Sequence, residues 1–125
     1  MKYLDTNVLV RIITGDDPAL AEKAIALIES GGQGEFHIVH AVLVELCFVL
    51  EFHTYRMART DIVDAVEALI ATPQVTISEK ARAALALYRQ HLKLDYVDCL
   101  LFALGGTRGV VTFDKALQKA FELAT

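Results

Sequence analysis

Lys2-Tyr-Leu-Asp-Thr-Asn-Val-Leu-Val-Arg-Ile-Ile-Thr-Gly15 reads as a strand that turns directly into a helix. Lys2 to Asp5 has the length of a short buried strand, and Val8, Leu9, Ile12 and Ile13 then recur at helical spacing until Thr14-Gly15 stops them. The same alternation continues outward from this unit. Asp17-Pro18 supplies an N-cap and a proline at the first helical position, opening a helix with Leu20, Ala24, Leu27 and Ile28 on one face that Gly31-Gly32 ends. Phe36-His-Ile-Val39 is a second strand, and residues 41–52 form a helix so apolar on nearly every side that a central, buried position is expected. Thr60 is the predicted cap of a helix carrying Ile62, Val63, Val66, Leu69 and Ile70, which Pro73 bars from continuing. Val75-Thr-Ile77 follows as a third strand, and Ser78 caps a helix with Ala81, Ala84, Leu85, Leu87 and Tyr88 on its apolar side. A helix at 95–104, a break at Gly105-Gly106, a fourth strand at Gly109-Val-Val-Thr112 and a last helix from Lys115 to Leu123 complete the chain. Strands separated by helices imply a parallel sheet. The expected fold is a single α/β domain over residues 1–125, with a parallel sheet of four to five strands and helices on both faces.

With 125 residues, 54% of them hydrophobic, and only seven glycines and two prolines, the chain can bury one substantial core. Its longest apolar stretches are cut by Glu45, Glu51 and Asp98 before the roughly 20 residues that span a bilayer. No long apolar signal segment precedes the first strand, so a cytoplasmic location is expected. Cys47 and Cys99 lie in apolar helical patterns, where a reduced thiol packs as a small hydrophobe. Neither the cysteines nor His37, His40, His53 and His91 show zinc-ligand spacing.

Four acids interrupt core-forming sequence: Asp5 after Tyr3-Leu4, Glu45 within Ala41 to Leu50, Asp98 within Tyr96 to Leu104, and Asp114 closing Val110-Val-Thr-Phe-Asp114. Charges placed among core residues need compensation. Two of the acids end candidate strands, and an α/β fold gathers ligands at the carboxyl ends of its strands. Carboxylates 4 Å apart would repel by about 4 kcal/mol at an effective dielectric of 20, which protons or a divalent cation would relieve. An all-oxygen ligand set of Asp5, Glu45, Asp98 and Asp114 suits magnesium or manganese, and magnesium commonly completes its shell with phosphate oxygens. A phosphate ester is therefore the expected substrate class. Asp95 shares a helix face with Asp98 but is also a natural N-terminal helix residue, favoured by the dipole, and is read as peripheral.

Leu4-Asp-Thr-Asn-Val-Leu9, Glu45 in an apolar helix, Asp95-Tyr-Val-Asp-Cys-Leu-Leu-Phe-Ala103 and Val111-Thr-Phe-Asp114, in that order, resemble the PIN-domain nucleases. Within them the chain is similar to the toxin ribonucleases of bacterial and archaeal type II toxin–antitoxin modules, the VapC group. The resemblance spans nearly the whole chain and implies a magnesium- or manganese-dependent endoribonuclease that forms homodimers and is inhibited by a small antitoxin protein. By position, Asp5 and Asp98 match the principal metal ligands, and Glu45 and Asp114 the acids that hold metal-bound waters or help activate the attacking one. Thr6 and Asn7 match a polar pair that steadies the first acid, and Thr112 matches a hydroxyl lining the site. The family pattern often ends in a further short strand, where this chain has Phe121-Glu-Leu-Ala-Thr125.

A net charge of −4 looks wrong for a nucleic-acid enzyme. Setting the four site acids aside, however, leaves 12 of the 16 acidic residues against 12 Lys plus Arg. Arg11, Arg56, Arg59, Arg108 and Lys115 are the candidate basic footprint for RNA. A phosphatase of the Asp-x-Asp type would need a proton donor where Asn7 stands, and a phospho-acceptor receiver domain would need a second acid beside Asp5. An inactive PIN-fold interaction scaffold, or a housekeeping nuclease without an antitoxin, are the remaining alternatives. An inactive scaffold is signalled by loss of an acid, and all four are present.

Overall fold

Lys2–Tyr3 (β1), Phe36–His37 (β2) and Val75–Thr76 (β3) pair in parallel in the order β1-β2-β3. The register sets Lys2 opposite Phe36 and Tyr3 opposite His37, then Phe36 opposite Val75 and His37 opposite Thr76. Backbone bonds run one step further, from Leu4 N–H to the His37 carbonyl at 3.0 Å and from Ile38 N–H to the Thr76 carbonyl at 3.1 Å. The structure, a computed structural model, describes residues 1–123.

The chain divides into two compact units, Met1–Ile77 and Ser78–Thr125. In the first, helices α1 (Thr6–Thr14), α2 (Pro18–Glu29), α3 (His40–Phe52) and α4 (Arg59–Ile70) accompany the sheet. Helix α1 packs against α2 and α3, and α3 against α4. Buried Leu4, Leu9, Phe36, Ile38, Leu43, Leu46, Leu50, Ile62, Val63 and Val66 form its core. Local signals start and stop these helices much as the residues predict. Asp17 accepts a hydrogen bond from Leu20 N–H at 3.2 Å with Pro18 at the first helical position. Gly15 ends α1 at φ 63°, a left-handed conformation cheap only for glycine.

Three readings need correction in this unit. Strand β1 is not buried along its length: Lys2 and Tyr3 are exposed and only Leu4 turns inward. Helix α3 is not enclosed: Leu43, Leu46, Cys47 and Leu50 are buried, whereas Glu45, Phe48 and Phe52 are exposed. Helix α4 begins with Ala58 as its N-cap rather than Thr60. The earlier start places Arg59 where it ion-pairs with Glu51 at the end of α3.

The second unit holds α5 (Glu79–Gln90), α6 (Tyr96–Gly105) and α7 (Lys115–Phe121). Ser78 caps α5 through Ala81 N–H at 3.1 Å. Tyr96 ties α6 to α5, its hydroxyl donating to the Ala81 carbonyl at 3.0 Å and its ring lying edge-on to Tyr88 at 5.8 Å. Phe121 of α7 stacks on Phe102 at 4.0 Å. A Cβ on Gly109 would run into the Gly105 backbone, so the turn after α6 needs glycine there.

The sheet has three strands among the described residues, not four to five. The expected fourth, at 109–112, lacks regular secondary structure, and Thr112 bonds locally instead of joining a ladder. Thr112 Oγ1 accepts from Asp114 N–H at 3.0 Å, and the Thr112 carbonyl accepts from Gln118 Nε2 at 2.8 Å. Of the segment expected to depart from the family pattern, Phe121 ends α7 and Leu123 is buried, while residues 124 and 125 lie outside the described residues. Cys47 and Cys99 are buried and form no disulfide among the described residues. No helix among the described residues is long and apolar enough to cross a membrane.

Candidate active site

Asp5 stands at the N-cap of α1 because β1 ends there and the chain turns at once into the helix. Its backbone is extended, at φ −83° and ψ 155°, yet its carboxylate makes no capping hydrogen bond. The carboxylate is thus not committed to the helix end, the structural use open to an Asp in that place. It lines a cavity of about 510 Å³ together with Thr6, Asn7 and Arg11 from α1 and Glu45 from α3. The packing of α1 on α3 is what joins acids so distant in sequence. Both Asp5 and Glu45 are exposed, which corrects the expectation of acids enclosed by core: water reaches their charges. Thr6 is the buried polar group of the cavity, only 6% exposed, and its hydroxyl has no hydrogen-bond partner among the described residues. That hydroxyl makes no hydrogen bond to Asp5, and a buried polar atom of this kind calls for a partner.

Beside the acids lies a polar latch. Arg11 Nη1 donates to both oxygens of Asp16 at 2.9 Å, and the Tyr55 hydroxyl donates to Asp16 Oδ2 at 2.6 Å. The Tyr55 bond, then those from Arg11 and Thr14, lower the Asp16 pKa to about 2. Asp16 is therefore ionised more readily in the folded chain, and its contribution to stability is present above the ordinary carboxylate range and lost as pH falls towards about 2. Tyr55→Phe removes the leading cause, so the Asp16 pKa is expected to move up towards the ordinary value. Carboxyl carbon NMR titration checks this, and an unmoved Asp16 titration would show that Tyr55 is not what holds it.

In the second unit Asp95 and Asp98 form a reciprocal capping box at the start of α6: Asp98 N–H donates to Asp95 Oδ1 at 2.9 Å, and Asp95 N–H to Asp98 Oδ2 at 3.2 Å. Asp95 is thereby the N-cap of α6, at the helix N-terminus where it was expected. Burial, then the charge of Asp95 and that of Asp114, raise the Asp98 pKa, while the hydrogen bond from Asp95 N–H opposes them. Asp114 caps α7 through Leu117 N–H at 2.9 Å, so its structural use is realised. Thr112 is half-buried and tied to Asp114 by the hydrogen bond already described.

The structure thus brings Asp5, Thr6, Asn7, Arg11 and Glu45 to one cavity, and Asp98, Thr112 and Asp114 to one region of the second unit. Among the described residues no three His, Cys, Asp or Glu side chains gather as a metal-binding group. Arg59 leaves the expected basic footprint, since it is buried and bound to Glu51, whereas Arg56, Arg108 and Lys115 are exposed. The sequence did not assign His53, Thr54 and Tyr55 to the site, and they line the same cavity as Asp5. Their signal was a polar, aromatic connector between two apolar helices.

The family model for the PIN domain matches residues 2–122. The chain belongs to the PIN domain family. PIN domains are typically metal-dependent nucleases, acting on RNA or DNA. No curated protein and no solved structure matches this PIN domain. Its candidate acids offer only oxygen, and a buried hydroxyl without a partner stands beside the first of them, a donor chemistry that fits a hard divalent cation.

Because its pKa is raised, Asp98 takes up a proton more readily in the folded chain than an ordinary carboxylate does. Its contribution is fully present below the ordinary carboxylate pKa and is lost as pH rises through the raised value. Asp98→Asn keeps an acceptor for Asp95 N–H and removes the charge. In EDTA at neutral pH the variant is expected to melt above the parent, the gap narrowing as pH falls through the ordinary carboxylate range. Millimolar magnesium should raise the parent's melting temperature and raise the variant's less. Equal magnesium responses in the two proteins would count against Asp98 as a ligand.

Proposed function

We propose that this PIN domain, acting as one nuclease domain over residues 1–125, is a magnesium- or manganese-dependent endoribonuclease and the toxin of a type II toxin–antitoxin module. In this reading it works in the cytoplasm as a homodimer restrained by a small antitoxin protein. The observation that carries the nuclease reading is the cavity in which Asp5 and Glu45 stand with the partnerless Thr6 hydroxyl. The order of the four acidic motifs supports the rest.

Asp5 and Asp98 would hold the metal ion, with Glu45 and Asp114 holding or deprotonating the attacking water. When bound, the ion supplies charge neutralisation at the phosphate and lowers the pKa of water. Thr6 and Asn7 would contact the site through their hydroxyl and amide, Thr112 through its hydroxyl, and Arg11 would attract the RNA backbone. Water oxygen bonds to phosphorus, the P–O3′ bond breaks, and the leaving oxygen takes a proton. The products are a 5′-phosphate and a 3′-hydroxyl.

Sequencing the ends of RNA cut by the purified protein tests this chemistry. Ends carrying 5′-phosphate and 3′-hydroxyl are expected. A 2′,3′-cyclic phosphate would place the nucleophile in the RNA itself and overturn the proposed roles. Co-purification of a small DNA-binding protein encoded next to this chain would support the toxin role, and a chain expressed harmlessly without one would argue against it.

A further inference from the structure

The cavity that holds Asp5 and Glu45 has a second wall, made by the connector from α3 to α4 and by Arg11 of α1. His53, Thr54 and Tyr55 are its connector residues. Its volume of about 510 Å³ falls in the range of about 300–1,000 Å³ usual for sites that enclose small groups. More space exists here than two carboxylates and an ion would fill.

This wall is held in place at both ends. At its base Met57 N–H donates to the Leu50 carbonyl at 2.8 Å, and buried Arg59 grips Glu51 with Nη2 at 3.1 and 3.0 Å from the two carboxylate oxygens. At its crest the Tyr55 hydroxyl is spent on Asp16, the same carboxylate that engages Arg11 Nη1. Tyr55 therefore brings a fixed ring to the cavity and no free hydroxyl, and His53 brings a second ring. Arg11 keeps Nε and Nη2 without hydrogen-bond partners among the described residues. Two rings and an anchored cation next to an acidic pair match the parts of a nucleotide, since rings stack on a base and guanidinium N–H groups bind phosphate.

We infer that this wall is the subsite for one unpaired nucleotide beside the cleaved bond: Tyr55 and His53 take its base, and Arg11 takes a phosphate. The inference rests on the ribonuclease reading and gives that enzyme a preference for unpaired RNA. A paired base cannot leave its stack to meet a ring without cost, whereas a single strand presents its bases freely. Stacking tolerates any base, so the subsite selects strandedness more than sequence.

Binding separates this inference from catalysis. Fluorescence anisotropy of labelled ten-nucleotide RNA, random in sequence, is measured with the full chain carrying Asp5→Asn, which binds without cutting. Single strands should bind more tightly than duplexes of equal length. Adding Tyr55→Ala should weaken single-strand binding about 10-fold, and adding Tyr55→Phe less than threefold, because the ring remains. His53→Ala, at an exposed position, gives a second variant with little risk to folding. In the cutting protein Tyr55→Ala should raise KM and leave kcat near the parental value. Equal binding by Tyr55→Ala and parent, losses as large for Tyr55→Phe as for Tyr55→Ala, tighter binding of duplex, or no binding of RNA at all would each overturn the subsite. Normal single-strand binding by a protein that never cuts RNA would instead overturn the nuclease reading and leave the subsite standing.

Discussion

Asp5→Asn should cut metal-dependent RNA cleavage by at least about 100-fold while leaving the fold intact, because in the proposed site it removes a metal-ligand charge worth several kcal/mol in the transition state. The reason to expect an intact fold is local. Asp5 is exposed, its carboxylate makes no capping bond at α1, and asparagine is as good a residue for that position. A loss of activity therefore cannot be traced to a broken helix start. Single-turnover cleavage, with the melting temperature measured on the same samples, checks the expectation. A variant that cuts at the parental rate would remove Asp5 from the site, and one that melts many degrees lower would show the side chain to be structural. Asp114→Asn is a poorer choice, since Asp114 does cap its helix through Leu117.

The second large effect concerns stability. The Arg59 side chain is 5% exposed and faces Glu51, itself 18% exposed, with Nε and Nη2 donating to its carboxylate at 3.0–3.3 Å. A buried guanidinium that loses its carboxylate keeps its desolvation cost, and such losses run to about 3–5 kcal/mol. Glu51→Ala is expected to destabilise the chain by about 3 kcal/mol, against a total of about 5–15 kcal/mol for a domain. Replacing both partners, as Glu51→Leu with Arg59→Met, should recover most of that loss, because no buried charge is left behind. Urea unfolding of the parent and the two variants distinguishes the cases. A cost below about 1 kcal/mol for Glu51→Ala would mean the pair behaves like a surface salt bridge. The same pair anchors the base of the connector carrying Tyr55, so its loss should also blunt single-strand RNA binding.

What could be read from the chain was mainly what a few neighbouring residues decide. Asp17-Pro18 and Ser78 start their helices, and Gly15 ends α1, because caps and left-handed turns depend on local backbone chemistry. Segments whose state depends on distant partners were read less well. Val110 and Val111 have strand propensity, but a strand also needs a ladder, and here only Thr112 bonds, locally, to Asp114 and Gln118. Val111 and Phe113 are consequently 95% and 96% exposed. The apolar run of α3 hid which side is covered, since periodicity cannot separate a helix enclosed by protein from one bare along Phe48 and Phe52. Helix α4 starts at Arg59, which pairs with Glu51 of α3, a contact no local signal announces.

The candidate site was legible to the same degree. Asp5 and Glu45 do share a cavity, as acids read from two separate motifs were expected to. Their exposure was not foreseen, because an apolar sequence context was taken to mean an apolar environment. The double role of Asp98, both cap partner of Asp95 and a carboxyl of raised pKa, could not be read from spacing alone. Nor could the latch of Arg11, Asp16 and Tyr55, whose members meet only once α1 lies beside the connector.

The decisive measurement is cleavage of RNA by the purified protein stripped with EDTA, then restored with manganese or magnesium, with Asp5→Asn treated in parallel. Cutting that disappears with EDTA, returns with either ion and never appears in the variant is the predicted result. Cutting that persists in EDTA, or that survives in Asp5→Asn, would contradict a metal-dependent nuclease built on these acids.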